Sequence, residues 1–315
     1  MIQVKGVREM KRILLAGIIV MVFSVFVSGL IVSAQESAVY LTVAQEGKII
    51  TPVYSLLSFR TIVRGLDGAN GLVCSPEGNL YVVETWKSKI ISYSQSGDFN
   101  DTILEENELK DTVILHLALH DGDLYFTTSE EGIWRIEGAD PENEPRQLIS
   151  PKYFKSDEQP YGLAFLTEGE YSGDLVVSLF SENEGRLVRL PAPDFGQLKE
   201  FAKTYKSSED GPVKTKQLKS PSSVAVGPEG NVFVGDWALG GGILKYGPQG
   251  NFLEVFTEDI VRPNGLTIGP DNILYTTTAA FGRKAKGSLR RYKLDGSQKR
   301  IITRPGAWAV TVCEN

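Results

Sequence analysis

The chain contains two histidines, and their spacing bears on metal binding. His116 and His120 lie four residues apart, in a predicted strand and the turn that follows it. On a strand this spacing places both side chains on one face about 13 Å apart, too far for one metal ion. The sequence contains no GxSxG nucleophile elbow, no HExxH zinc motif and no Walker phosphate loop. The catalytic chemistry of those motifs is therefore not predicted.

Two acidic residues are followed by tryptophans at what we predict to be equivalent strand ends. Glu84 precedes Trp86 by two residues, and Asp236 precedes Trp237 directly. An acid and an indole ring at a rim suit a sugar-type ligand. Alternatively, the carboxylates cap the turns that follow them and the tryptophans pack between sheets. Both interpretations stay open on the sequence.

An internal repeat predicts the elements that position these residues. Each unit begins with a short apolar strand, passes through a turn into an apolar-aromatic strand, and ends with a third strand. A fourth strand precedes the next unit, as at residues 252–256. A sixth start appears at Pro305. The five longer units are residues 69–93, 114–136, 160–190, 221–246 and 263–292.

The period of this repeat predicts the fold class. The units start near residues 70, 115, 161, 222, 264 and 308. Repeats of about 40–50 residues with four strands each are typical of propeller blades. We therefore predict an all-β six-bladed β-propeller with a closing blade built from both chain ends. The inner strand at 308–312 would be completed by N-terminal strands at 39–43, 48–50 and 60–63, because an unpaired inner strand promotes aggregation.

One interval of the repeat is longer than the others. The excess lies in residues 191–219, which are rich in Lys and Glu and show no strand pattern. We predict a loop insert there, either a solvated surface loop or a lid over one face of the propeller.

Composition and charge exclude several classes of partner. Hydrophobic residues make up 42% and charged residues 23%, a globular balance. The formal net charge is −6. Without residues 1–34 the chain holds 29 basic and 38 acidic residues, a net charge of −9. We expect no nucleic-acid partner, because phosphate binding needs a basic surface.

The N-terminus predicts export. Residues 13–32 carry no charge, follow Lys11 and Arg12, and precede the small-residue pattern Val32-Ser33-Ala34. We predict a signal peptide at 1–34 and a single propeller domain at 35–315. The alternative is an uncleaved membrane anchor, since about 20 apolar residues also span a bilayer. Either way we expect a periplasmic, extracellular or luminal protein.

The chain has two cysteines, Cys74 and Cys313. Their separation matches neither a zinc site nor a CxxC redox motif. An exported protein can bridge them, and two buried thiols are the alternative.

The repeat pattern carries a family resemblance. ANGLVCSPEGNLYV at residue 69 and PNGLTIGPDNILY at residue 263 are similar to the six-bladed propellers of the NHL-repeat, senescence-marker/gluconolactonase and quinoprotein sugar dehydrogenase families. The similarity covers about residues 60–313. Residues 159–246, with QPYGLAF, YSGDLVVSL and GRLVRL, resemble the soluble sugar dehydrogenases most.

The resemblance to gluconolactonases implies a divalent metal at the axis, bound at the starts of the inner strands. Asn70 and Asn264 match the family's Asn at that position, and calcium is the implied ion. The other start positions carry no Asp or Glu, so Asp67 is the nearest spare carboxylate. The alternative for both Asn residues is a turn before glycine. The pocket candidates are Asn70, His116 (or Leu115 beside it), Tyr161, Ser222, Asn264 and Trp308.

Three functions follow from the resemblance. The first is a propeller that binds or processes a small polar molecule, lactone, ester or sugar-like; as an enzyme it would be a calcium-dependent lactonase or esterase. The second is a non-catalytic NHL-type propeller that presents a face to a protein partner. The third is a quinone-dependent sugar dehydrogenase, whose catalytic base is a His before an inner strand. The resemblance places that His at Thr112 or Val113 here, and His116 lies several residues further on.

Overall fold

The computed structural model describes residues 37–53, 58–106, 108–109, 112–182, 184–202, 204–206, 215–238, 241–278, 287–297, 299–304 and 307–313. Ser37–Glu314 form one compact unit. The predicted signal peptide or anchor lies outside the described residues. Among the helices of the described part, none has the length and hydropathy that a membrane span requires.

The described elements are β-strands joined by turns and short 3-10 segments. The strands are, in chain order, β1 (Ala38–Val43), β2 (Lys48–Val53), β3 (Ser58–Arg64), β4 (Ala69–Cys74), β5 (Leu80–Glu84), β6 (Lys89–Tyr93), β7 (Phe99–Leu104), β8 (Ile114–His120), β9 (Asp123–Thr128), β10 (Gly132–Ile136), β11 (Arg146–Ile149), β12 (Gln159–Phe165) and β13 (Leu175–Phe180). They continue with β14 (Arg186–Leu190), β15 (Lys199–Ala202), β16 (Thr204–Lys206), β17 (Thr215–Gln217), β18 (Pro221–Val226), β19 (Val232–Asp236), β20 (Gly242–Tyr246), β21 (Phe252–Thr257), β22 (Pro263–Ile268), β23 (Ile273–Thr278), β24 (Gly287–Lys293), β25 (Lys299–Arg304) and β26 (Ala307–Cys313). The 3-10 segments are Ala44–Glu46, Thr85–Lys87, Glu137–Ala139, Pro151–Tyr153 and Pro228–Gly230.

Six four-stranded antiparallel sheets form the blades of a propeller. Blade 1 is β4–β7, blade 2 is β8–β11, blade 3 is β12–β15, blade 4 is β18–β21 and blade 5 is β22–β25. Blade 6 has the order β26-β1-β2-β3. The inner strands β4, β8, β12, β18, β22 and β26 each contact the next around a ring, and β26 contacts β4. The predicted all-β six-bladed propeller is confirmed.

Blade 6 joins the two ends of the chain, as predicted. Strand β26 pairs antiparallel with β1, with Cys313 opposite Ala38 and Val310 opposite Leu41. Leu41 and Val43 are fully buried, so the N-terminal strand contributes to the core and is held by more than its hydrogen bonds. The prediction that residues 38–63 complete the blade begun by β26 is confirmed.

The turn between the first two strands of a blade explains the recurring Pro-Glu-Gly-Asn pattern. In blade 1 the Ser75 amide donates to the Asn79 carbonyl at 2.8 Å, and the Gly78 amide donates to the Ser75 carbonyl at 2.9 Å. Gly78 has a φ of 88°, in the region that favours glycine. Strand β5 that follows is wholly buried, as its apolar sequence LYVV requires.

Residues 191–219 differ from the sequence prediction of a loop insert. Lys199–Ala202 form β15, the outer strand of blade 3, and Thr204–Lys206 pairs with Thr215–Gln217 in a separate hairpin. Phe201 and Ala202 are buried while Lys199 and Glu200 are exposed. Pattern reading missed β15 because four residues are too short to show an alternation.

A disulfide joins the first and last blades of the ring. The sequence left open whether the two cysteines are bonded. Cys74, at the end of β4, is bonded to Cys313, at the end of β26, with a Cα–Cα distance of 5.4 Å. The bond joins blade 1 to blade 6 across a sequence separation of 239 residues. Cross-linking residues so far apart removes much conformational entropy from the unfolded chain.

Removing this disulfide should lower stability without changing the fold. We expect the double variant Cys74→Ser/Cys313→Ser to lose about 2–4 kcal/mol of unfolding free energy, measured by denaturant titration. Wild type in a reducing buffer should fall to the same value, and the variant should not respond to reductant. Equal stability of oxidised wild type and variant would contradict this role.

Candidate functional site

Each inner strand begins in the same way, so its first residues form layers around the axis. One residue of each inner strand, or two in β12, pairs with the end of the second strand before a register shift, as in Ala69 opposite Glu84 and Pro221 opposite Asp236. The residue that follows the last of these pairs defines a layer that we call the start ring. Its members are Asn70, Leu115, Tyr161, Ser222, Asn264 and Trp308. His116 therefore lies one residue beyond the ring position, which Leu115 occupies.

The two Asn-Gly pairs are not turns. Asn70 lies within β4 and Asn264 within β22, and neither has a positive φ. The glycines instead permit close approach of neighbouring inner strands. A Cβ on Gly71 would lie 3.1 Å from the His116 Cα, and one on Gly265 would lie 2.8 Å from the Ala309 Cα. The prediction that Asn70 and Asn264 are turn residues is therefore wrong, and turn geometry does not explain why Asn occupies these positions.

The Asn264 amide has a fixed orientation that leaves its oxygen unpaired. Its Nδ2 donates to the Trp308 carbonyl at 3.0 Å. Because a carbonyl only accepts, the nitrogen must face Trp308. Asn264 is fully buried, and its Oδ1 has no hydrogen-bond partner. Asn70 is 5% exposed and its Oδ1 is likewise buried without a partner. Such atoms carry a desolvation cost unless something binds them.

His116 adds a third unpaired polar atom next to the ring. Its Nε2 is buried without a partner, and its ring packs against Tyr161 with centroids 4.9 Å apart. Burial lowers the pKa of His116 to about 4, because charge is disfavoured away from water. Burial also raises the pKa of Tyr161 to about 12. At neutral pH the imidazole is uncharged and the phenol keeps its proton.

An aromatic row extends outward from His116 across three blades. It consists of His116, Tyr161, Phe180 and Trp237, with successive centroids 4.9, 5.9 and 6.3 Å apart. All four side chains are half-buried. The Arg262 guanidinium carbon lies 5.9 Å from the Trp237 ring centre and so prolongs the row to the rim. The sequence named three of these rings, but Phe180 showed no signal beyond a strand end.

Side-chain hydroxyls join each blade to the next just beneath the start ring. Thr277 accepts from the Gly265 amide at 2.9 Å and donates to the Trp308 carbonyl of blade 6 at 2.7 Å. Thr42 does the same between Ala309 and Asn70. The other boundaries are crossed by Thr85 to the Ile114 carbonyl, Thr127 to Tyr161, Ser220 to Ser181 and Ser222 to Pro263. Thr42, Thr127 and Thr277 lie in the second strands of their blades, so a recurring Thr there is a sequence signal for half of this set.

The acidic residues near the ring are engaged elsewhere. Glu84 Oε1 accepts the Asp67 amide at 2.8 Å, and Asp236 accepts the amides of Ser220 and Ala238. These carboxylates cap backbone turns, the second of the two interpretations drawn from the sequence. The Asp67 carboxylate is about half exposed and pairs with Lys87 Nζ at 2.6 Å.

The donors present do not fit a resident calcium ion. Calcium takes six to eight oxygen ligands, usually with several carboxylates. The start ring offers the amide oxygens of Asn70 and Asn264, both neutral, and Asp67 is held by Lys87. Within the described ranges, no three His, Cys, Asp or Glu side chains converge on a possible metal position. The ring matches an uncharged polar ligand better.

The axial cavity lies towards the opposite end of the inner strands, which we call the far end. It measures about 280 Å³, and residues after the start ring line it, including Leu72, Leu117 and Val310. None of the six pocket candidates lines this cavity. The start-ring end instead carries the longer connections, such as those from β7 to β8 and from β15 to β18, and loops of this kind carry binding sites in many folds.

Comparisons with known proteins place the fold. No protein-family profile matches the chain, and no curated protein sequence matches it. Regucalcin from Agrobacterium tumefaciens, a calcium-binding protein, superposes with a TM-score of 0.53 at 12% identity, over 75% of this chain and 74% of that chain. A gluconolactonase from Xanthomonas campestris has a TM-score of 0.56 at 16% identity, over 77% and 79%. A protein of unknown function from Bacteroides caccae has a TM-score of 0.56 at 13% identity, over 89% and 99%.

These likenesses define the class of protein. The chain is a six-bladed β-propeller with the architecture of the regucalcin and gluconolactonase structures, so the predicted resemblance is confirmed for the fold. Identities this low establish no activity, and propellers host many functions.

The burial of His116 predicts a pH-dependent loss of stability. The unfolded chain binds a proton at this residue near pH 6.5 and the folded chain only near pH 4, so the stability present above pH 6.5 falls as the pH drops towards 4. The loss attributable to His116 should reach about 2–3 kcal/mol. Denaturant titrations of wild type and His116→Phe at neutral pH and near pH 4.5 measure it. The variant should lose less than wild type; identical losses would refute the assignment.

Proposed function

We propose that this propeller binds a small, uncharged molecule bearing hydroxyl groups, of the lactone or sugar class, at the start ring. The supporting observation is that Asn70 Oδ1, Asn264 Oδ1 and His116 Nε2 are all buried without a hydrogen-bond partner. They come from blades 1, 5 and 2 respectively, at the same end of the inner strands. Amide oxygens accept hydrogen bonds, and ligand hydroxyls donate them.

The chemistry of the neighbouring residues supports an uncharged ligand. No member of the start ring carries a charged side chain. The aromatic row begins at His116, and its half-buried rings suit the apolar faces of sugar rings while their rims stay wet. Small-molecule sites in proteins commonly combine aromatic walls with a few polar groups that fix orientation.

The same residues favour binding over hydrolysis. A general base works best when its pKa lies near the working pH, and His116 with a pKa of about 4 is a weak base at neutral pH. The start ring supplies no carboxylate to replace it. Lactone or ester hydrolysis, with or without calcium, is therefore the alternative outcome of the test below.

Removing one of the buried acceptors should weaken binding. We expect glucono-δ-lactone or a neutral monosaccharide to bind wild type in isothermal titration calorimetry, and Asn264→Ala to bind it about tenfold more weakly. The matched control is Asn100→Ala, because Asn100 is exposed on β7. Both variants are checked by melting temperature.

Adding calcium tests whether the protein only binds its ligand or is a calcium-dependent hydrolase. Because the donors are neutral, about 1 mM Ca²⁺ should leave the melting temperature unchanged. A calcium-dependent rise in melting temperature, together with lactone hydrolysis that Asn264→Ala abolishes, would replace the binding proposal by the hydrolase. Absence of binding by every sugar and lactone probe would overturn it.

An interaction propeller is the second candidate, and exposed apolar side chains favour it. Trp86 is 70% exposed, Val261 is 59% exposed and Tyr153 is 55% exposed. All three lie in connections at the end of the propeller that carries the start ring. Large exposed apolar groups on one face are typical of a surface that contacts a protein or polymer.

We further propose that the protein is exported. The apolar segment at 13–32 and the Cys74–Cys313 disulfide support this, because disulfides persist in oxidising compartments. N-terminal sequencing of the protein recovered from outside the cytoplasm should begin at Gln35. A start at residue 1 in a membrane fraction would indicate an anchor, and a reduced protein in the cytoplasm would contradict export.

A further inference from the structure

The far end of the axis holds a cavity of its own. The axial cavity of about 280 Å³ receives residues from all six inner strands. A second cavity of about 430 Å³ adjoins it between blades 1, 2 and 6, and the two share Val73, Leu119 and His120. Together we call them the far cavity. Its size falls in the range of pockets that bind small organic molecules.

Backbone groups give the far cavity polar walls. Every inner strand is the terminal strand of its own sheet, so one edge of each is not paired by another strand. The six strands surround the axis, and their free amides and carbonyls point into it. Buried backbone groups of this kind require water or a ligand as partner.

Two hydroxyls make one side of this cavity more polar than the other. Thr267 on β22 and Thr311 on β26 occupy equivalent places on neighbouring strands. The strands opposite them across the axis carry Ala118 and Ala164 at the same place. Thr311 is 6% exposed and lines the cavity, as Thr267 does. Threonine hydroxyls can accept or donate a hydrogen bond, so this wall can pair with a polar group on a ligand.

An aromatic pair stands where the two cavities meet. The His120 ring stacks on Phe165 with centroids 4.1 Å apart and planes 11° apart. Phe165 lines the axial cavity, and His120 lines both. With Leu119 and Val312 they supply an apolar surface beside the polar wall.

Carboxylates surround the far end. The turn between the first and second strands carries an exposed acid in five blades, and three of them, Glu77, Glu168 and Glu229, form no ion pair within the described residues. Asp121 lines the second cavity. A group of like charges around a cavity raises the local concentration of oppositely charged ligands. The five acids are Glu77, Asp121, Glu168, Glu229 and Asp271.

We infer that the far cavity binds a small organic cation, an ammonium group on a compact apolar body. The ammonium lies on the Thr267 and Thr311 side, where hydroxyls and strand carbonyls accept its hydrogen bonds. The body lies against Ala118, Ala164 and the ring of Phe165. This site is separate from the start ring and does not depend on the function proposed there.

Two probes of similar size and opposite charge test this inference. 2-Phenylethylammonium should bind wild type in calorimetry and raise its melting temperature, and phenylacetate should do neither. Binding of the cation should weaken as salt is added, because exposed carboxylates are screened. Equal binding of both probes, or no binding of the ammonium probe, would overturn the inference.

Variants locate the site. Thr311→Val keeps the shape of the side chain but removes its hydroxyl, so it should bind the ammonium probe about tenfold more weakly. Thr102→Val on the outer strand β7 is the matched control. The triple variant Glu77→Gln/Glu168→Gln/Glu229→Gln should bind about threefold to tenfold more weakly.

The matched control for charge is a triple variant at the start-ring end, Glu106→Gln/Glu130→Gln/Glu182→Gln. It removes three exposed carboxylates there, and its affinity for the ammonium probe should equal that of wild type at moderate salt. Asn264→Ala should also leave it unchanged. If the folded Thr311→Val variant binds the probe as wild type does, or if Asn264→Ala abolishes binding, the far cavity is not the site.

Discussion

The pairing of β26 with β1 closes the propeller and holds its six inner strands around one axis. An open ring of sheets leaves one inner strand without a second strand, and such an edge recruits other chains. Here β26 finds its partners at the opposite end of the sequence, and the Cys74–Cys313 bond ties the same strand to blade 1. Closure fixes the spacing of all six inner strands, and therefore the shape of both ends of the axis.

The blades are locked together just below the start ring, and that packing shapes the candidate site. Glycines such as Gly71 and Gly265 let neighbouring inner strands approach closely, while Thr42 and Thr277 satisfy the backbone groups that the register shift leaves unpaired. With these groups satisfied, the Asn70 and Asn264 oxygens are left without partners. The proposed ligand site thus lies on a closely packed layer, which limits reorganisation on binding.

The two ends of the axis differ in chemistry although the blades repeat. At the start ring the unpaired atoms are neutral acceptors, and His116 is kept uncharged by burial. At the far end, Thr311 and the free strand edges meet a group of exposed carboxylates. A repeat gives each blade the same backbone, so these differences come from single substitutions at equivalent positions, such as Asn for Leu at the ring or Thr for Ala beyond it.

The sequence by itself determined the six-bladed fold, its inner strands and the composite blade 6, because period and turn chemistry are local properties that every unit repeats. The sequence also singled out Asn70 and Asn264 as candidate ligands. It could not show whether each Asn-Gly pair forms a turn or lies in a strand that packs closely on its neighbour. The tertiary structure decided that question, as it decided the disulfide, the strand β15, the place of Leu115 rather than His116 in the ring, and the partners of Glu84 and Asp67. The disulfide depends on a distance between residues far apart in the chain, the ring position and the carboxylate partners depend on strand register and side-chain placement, and β15 is too short to show a pattern. No local pattern encodes these properties.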